Sequence, residues 1–246
     1  MGFFFHIGRY FSLLTRVFAR PEKFGVFIKQ TFKEMDEIGI QSLGIISIIS
    51  IFMGAEVVIQ AALSTDSPLI PKYLIGFTAR QSIVLEFSSS FMCLILAGKV
   101  GSRIASEIGT MRISEQIDAL EIMGVNSASY LIQPKIVAAL FIFPFLTILS
   151  MVIGLGGGYL AGVLGGLTAP SDYIYGLQIQ FRVYDIIYAL IKVEFFAFII
   201  SSVSSYYGYY AYGGSLEVGR ASTKAVVMSS ILILFISYLL TQILLT

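Results

Sequence analysis

Five apolar stretches, each long enough to cross a bilayer, leave this chain little choice of fold. A helix needs about 20 residues to span the hydrocarbon. Residues 40–63 meet that length broken only by Glu56, and residues 74–98 meet it with Arg80 and Glu86 inside. Residues 136–167 carry no charge, 186–212 hold Lys192 and Glu194, and 225–246 are uncharged. Hydrocarbon offers no partner to backbone N–H and C=O groups, so apolar runs of this length are helices. The third run is too long for one perpendicular crossing and too short for two, which predicts a single tilted helix. The expectation is an all-α integral membrane protein in one domain, 1–246. Residues 1–39 form interfacial and cytoplasmic helices, and 40–246 a bundle of five transmembrane helices.

Composition agrees. Of 246 residues 57% are hydrophobic and 13% charged, where a soluble domain carries about a quarter charged. A net charge of +1 gives no nucleic-acid footprint. One cysteine, Cys93, and one histidine, His6, support neither a disulfide framework nor a Cys/His metal site nor a His-based triad. No catalytic residue and no metal ligand is therefore expected. Cys93 sits in an apolar run and reads as a small buried hydrophobe. The nearest approach to a phosphate-binding loop, CLILAGKV at 93–100, lacks the first glycine and the final Ser/Thr. If ATP drives this protein, ATP and magnesium bind another chain, and no cofactor is expected in this one.

Ahead of the first span, Phe4, Ile7, Phe11, Leu14 and Phe18 recur at three- and four-residue steps, with Arg9, Arg16 and Arg20 on another face. That is the pattern of a helix lying in the membrane interface, with Pro21 at its end. The same arginines interrupt any apolar core, so the segment does not read as a secretory leader. Orientation follows from the bias of Lys and Arg among loops. Arg9, Arg16, Arg20, Lys23, Lys29 and Lys33 precede span one, Lys99, Arg103, Arg112 and Lys135 follow span two, and Arg220 and Lys224 precede span five. The opposite side has only Lys72, Arg80 and Arg182. A cytoplasmic N-terminus and a C-terminus on the far side are expected.

Gly154, Gly158, Gly162 and Gly166 lie four residues apart at the end of span three. On one helical face they permit close helix approach, and dimerisation, packing within the chain and lining of a lipid-sized groove all fit. Tyr206, Tyr207, Tyr209, Tyr210 and Tyr212 are expected to form an aromatic belt at the cytoplasmic boundary.

The loop between spans two and three is the most informative stretch. Ser114 is expected to cap a short helix there, with Glu115 in its first turn and Gly124 as its stop. Ile117 and Leu120 would form an apolar face, with Glu115, Asp118 and Glu121 towards solvent. Such a cytoplasmic helix suits docking into a groove on a partner.

The run AGKVGSRIASEIGTMRISEQIDALEIMGV (97–125) resembles the signature of the MlaE/YrbE permease family, membrane subunits of ABC systems that move lipids in Mla- and Mce-type pathways. GYYAYGGSLEVGRASTKAVV (208–227) is similar to the family's second signature, before its last span. The family's Arg-Glu-Leu-Gly-Pro near the start of span two reads Leu85-Glu86-Phe87-Ser88-Ser89 here. The resemblance implies a homodimeric permease of the inner membrane, with its C-terminus periplasmic, moving phospholipids or related lipids between inner and outer membranes. Its implied partners are an ABC ATPase, an MCE-domain lipid-binding protein and a STAS-domain protein. Segment 114–124 would be the coupling helix.

Glu56, Glu86, Lys192 and Glu194 lie inside the spans, at one level in the outer half, about 10 Å from the outer end by 1.5 Å per residue. Intramembrane charges face a cavity or pair with one another. A structural ion pair and a site for lipid head groups both fit. From a different class, the same four residues could serve as the relay of an ion-coupled secondary transporter or channel, although five spans without an internal repeat argue against it.

Overall fold

The computed structural model describes residues 3–19, 24–65 and 70–245. Arg20, Pro21 and Lys23, with the helix stop assigned to Pro21, lie outside them. Helix α1 (Phe3–Ala19) is followed by α2 (Phe24–Met35), which passes through a π-helical turn, Asp36–Ile40, into α3 (Gln41–Ser64). Then come α4 (Tyr73–Ser82), a π-helical stretch (Ile83–Phe91), α5 (Met92–Leu96), a second π turn (Ala97–Gly101) and α6 (Ser102–Ile113). The remaining helices are α7 (Gln116–Ile122), α8 (Ser127–Leu164), α9 (Pro170–Gln178), α10 (Val183–Tyr209) and α11 (Ser215–Leu245). No strand occurs among the described residues. Among the described residues, five helical stretches are long and apolar enough to cross a membrane, namely Phe24–Ser64, Tyr73–Ile113, Ser127–Leu164, Val183–Tyr209 and Ser215–Leu245. The long third run is one 38-residue helix, α8. The chain is an all-α, multi-pass membrane protein.

Its residues cluster into two compact units. One comprises Ser42–Cys93 and Pro144–Val193. Its core joins Val57 and Val58 of α3, Ile75 and Ala79 of α4, Ile83, and Tyr173 of α9. The glycine stripe is a packing surface within the chain. A methyl group on Gly54 would run into the backbone of Gly154, and one on Gly157 into the backbone of Ile51, so α3 and α8 touch backbone to backbone. Gly158 faces Val58 and the same Gly54 carbonyl. Gly166 is not on this face: α8 ends at Leu164, and Gly166 takes φ +67° in the turn beyond it. Arg80, 4% exposed, closes α9. Its Nη1 donates to the carbonyls of Leu177 (2.8 Å) and Ile179 (2.9 Å), the orphan acceptors that end every helix.

The other unit comprises Met1–Gln41, Leu94–Phe143 and Glu194–Thr246. Here α6 packs on α11, with Ser222 Oγ donating to the Ser102 carbonyl at 3.1 Å. Lys135 is 2% exposed, and its ammonium donates to Glu34 (2.6 Å) and Glu107 (2.8 Å). Arg103 and Lys33 both pair with Glu37. The carboxylates of Glu34, Glu37 and Glu107 converge closely enough to hold a cation, but Lys135 already pairs with the first and third and Arg103 with the second.

Helix α1 lies against α10. His6 Nδ1 is 2.8 Å from Tyr206 Oη, Tyr10 Oη is 2.7 Å from Ser202 Oγ, and the Arg9 guanidinium sits 3.6 Å above the Tyr210 ring. Leu13 and Val17 are buried, while Phe4, Phe11 and Phe18 stay exposed as an aromatic ridge. That ridge lies on the face that the spacing predicts to be apolar. The tyrosines correct an expectation. Tyr206 and Tyr209 are buried at 5% and 3% and bond to other helices, so they form part of the interior and not a belt. Only Tyr212 is fully exposed.

Candidate functional site

Two places gather candidate side chains, one in each unit. In the first, Lys192 of α10 is entirely buried and donates to both oxygens of Glu86, each at 3.0 Å. Its ammonium also lies 5.1 Å from the centre of the Tyr188 ring, one turn earlier on the same helix. Ser90 Oγ donates to the second Glu86 oxygen at 3.0 Å. The pair is lopsided: the Glu86 side chain is 42% exposed and that of Lys192 not at all. A buried cation thus holds an accessible carboxylate at the chain's surface. Glu56 and Glu194 are exposed and take no part in this ion pair. The structure brings together two of the four intramembrane charges and not the others.

The backbone around Glu86 is unusual. Ile83–Phe91 is π-helical for nine residues, a widened turn that is rare and concentrated at functional sites. Nearby, three buried serines from separate elements meet: Ser50 and Ser150 hydroxyls lie 2.8 Å apart, and Ser150 donates to Ser88 at 3.4 Å. Sequence reasoning missed both features, although the run Ser88-Ser89-Ser90 inside an apolar span was the available signal. Adjacent to this stretch is a cavity of about 220 Å³ lined by Gln60, Ser64, Thr78, Ser82 and Phe87.

The second place is α7, separated from α6 by a two-residue turn, Ser114 and Glu115. Ser114 does not cap α7. It closes α6, its hydroxyl donating back to the Thr110 carbonyl at 2.7 Å. A hydroxyl four residues past a helix carbonyl bonds it readily, which removes Ser114 from the cap. Glu115 takes that position in a left-handed conformation, φ 59°, without a side-chain cap. Gly124, at φ +78°, stops the helix: its N–H reaches the Glu121 carbonyl and the N–H of Val125 that of Leu120.

The faces of α7 also differ from expectation. Ile117 is fully buried in the chain's own core and Leu120 is half-buried. The apolar surface it offers outward is Ile122, 87% exposed, and Met123, 68% exposed. Asp118 is paired with Arg112 at 2.6 Å. Glu121 is the best connected of the acids. Its Oε1 accepts from Ser127 Oγ (2.9 Å), Tyr209 Oη (3.0 Å) and Arg16 Nη2 (3.4 Å). The hydroxyl of Ser127, first of these donors, holds the Glu121 carboxyl below its ordinary value, helped by Tyr209 and the guanidinium groups of Arg16 and Arg112.

Comparison with known proteins adds the family. Residues 31–243 match the family of permease MlaE. A probable ABC transporter permease protein of Rickettsia bellii is 38% identical over 245 residues, covering 96% of this chain and 91% of that one. The intermembrane phospholipid transport system permease protein MlaE of Haemophilus influenzae is 30% identical, covering 99% and 93%. The chloroplastic protein TRIGALACTOSYLDIACYLGLYCEROL 1 of Arabidopsis thaliana is 31% identical, covering 92% and 65%.

Proposed function

This chain belongs to the MlaE permease family of ABC transporters, and we propose on that basis that it moves phospholipids or related lipids, driven by ATP hydrolysis on a separate ATPase subunit. The observation that carries the reading is similarity along nearly the whole chain to a relative named for intermembrane phospholipid transport. The geometry supports it in two ways. Helix α7 presents the exposed apolar pair Ile122 and Met123, a knob suited to a groove on an ATPase. The Glu86–Lys192 pair offers an accessible charge inside an apolar span, where a zwitterionic or anionic head group could exchange with one partner. Glu56, Gln60 and Ser64 lie one helical turn apart on α3, and Glu56 would add a polar wall to that site. A homodimer, an MCE-domain protein and a STAS-domain protein complete the proposed assembly. Purification from native membranes with mass spectrometry of bound proteins and lipids is the test. An ABC ATPase and phospholipid should co-purify, and a preparation with neither would overturn the reading.

The proposed location is the inner membrane, with α7 cytoplasmic and α9 periplasmic, as the Lys/Arg bias requires. Single cysteines placed at the exposed positions Met123 and Ser171, with buried Cys93 changed to Ala, give the check. An impermeant thiol reagent added to intact cells should label position 171 and spare 123. Labelling at 123 alone would reverse the orientation.

A further inference from the structure

Glu121 stands where four helices meet, and its contacts make it more than a solvated acid on a docking helix. One oxygen collects donors from Arg16 near the end of α1, Ser127 at the start of α8 and Tyr209 at the end of α10. A second link runs beside it, with Asn126 Nδ2 donating to the Arg16 carbonyl at 2.8 Å. Ser127 and Tyr209 hydroxyls lie 2.8 Å apart, side by side at the carboxylate. Immediately after Glu121 come the exposed Ile122 and Met123.

Following α1 away from this point shows what the link joins. The helix is fastened along α10 by His6, Tyr10 and Arg9, and its opposite side is the exposed ridge of Phe4, Phe11 and Phe18. One end of the Arg16–Glu121 contact is therefore a helix built to lie in the membrane interface. The other end is one residue from the apolar knob of α7.

We propose that Glu121 is a positioning residue that ties the interfacial helix α1 and the end of α10 to α7, making α1 part of the apparatus that couples ATP hydrolysis to lipid movement. This rests on the reading of α7 as the ATPase-docking helix. Arg16 and Glu121 side chains are 53% and 40% exposed, and ion pairs so well hydrated add little to folding stability. What the carboxylate fixes is direction. Three donors from three helices leave α7 one orientation, whereas a truncated side chain frees it to turn about the glycine stop at Gly124. At neutral pH the group is charged, because its partners lower its affinity for protons. With a folded value below the unfolded one, its contribution is complete above the ordinary carboxylate range and is lost only as pH falls through the lowered value. Arg112 and Arg16 are the cations facing it, and Asp118 is held by Arg112.

The test uses the permease–ATPase complex in liposomes with a fluorescent phosphatidylethanolamine, and reads lipid moved per ATP hydrolysed beside ATPase retention and melting temperature. Glu121→Ala should keep the ATPase bound and the melting temperature near that of the parent, with lipid moved per ATP falling about tenfold. Glu121→Gln, which still accepts from Ser127 and Tyr209, should lose less. Arg16→Ala should also lower the ratio, and should add nothing in the Glu121→Ala background, because both act through one contact. An unchanged ratio in Glu121→Ala, or independent addition of the two effects, overturns the proposal. Loss of the ATPase from Glu121→Ala overturns it too, since the residue would then be docking surface. Failure of the docking reading is seen separately, as an ATPase that stays bound when Ile122 and Met123 are both changed to Asp.

Discussion

Replacing Glu86 with Gln should destabilise the protein more than replacing Lys192 with Met, although each removes half of one ion pair. Lys192 is wholly buried and Glu86 is 42% exposed on its side chain. Without the carboxylate, an ammonium is stranded in a low-dielectric interior, a change that costs about 3–5 kcal/mol where it has been measured in buried pairs. Without the lysine, the carboxylate keeps its open side and loses less. The double variant Glu86→Gln/Lys192→Met buries neither charge and should recover most of the thermal stability lost by Glu86→Gln. If the pair serves lipid transport, that recovery stops at stability. Bound phospholipid and lipid-stimulated ATP hydrolysis should stay low in all three variants. Restored transport in the double variant would reduce the pair to glue between helices.

The second large effect is expected at the tip of α7. Changing Ile122 and Met123 to Asp should release the ATPase while the permease folds normally, because both side chains already face out of the chain. Each carboxylate would be driven unpaired into an apolar groove, at about 1–3 kcal/mol or more apiece by mutational measures. Ile117→Asp is the contrasting control. That side chain is fully buried, so the substitution should lower the melting temperature of the permease itself. Retention of the ATPase by the Ile122→Asp/Met123→Asp variant would remove α7 as its dock.

These two experiments fall where sequence and structure part company. Hydropathy alone locates the spans, since backbone satisfaction in hydrocarbon leaves only helices. The charges at 86 and 192 are conspicuous for the same reason, an ionised group in an apolar run being costly wherever it points. Which charges meet is a tertiary fact, and Glu56 and Glu194 look no different from Glu86 in one dimension. The register of α7 fails on a finer point. Ile117, Leu120, Ile122 and Met123 are equally apolar on paper, and only the packing of the neighbouring helices decides that 117 is core and 122–123 are surface. Ser114 offers two hydrogen bonds, one to cap α7 and one to close α6, and the second is nearer. The tyrosines of α10 mislead similarly, because an aromatic at a span end serves a membrane boundary or an interior network equally well until its neighbours are known.

The serines of α10 carry a consequence for how the chain enters the bilayer during synthesis. Ser201, Ser202 and Ser205 donate to the carbonyls of Ala197, Phe198 and Ser201 in their own helix. Their hydroxyls are therefore satisfied before any other helix arrives, and the segment can leave the translocon without carrying those groups bare into lipid. Lys192 has no such local remedy. Its acceptor is Glu86, 106 residues earlier, on a span that emerges from the ribosome two crossings sooner. The carboxylate is already in the membrane when the lysine reaches it, so chain order spares the lysine an unpaired wait, while Glu86 until then has the hydroxyl of Ser90 four residues on.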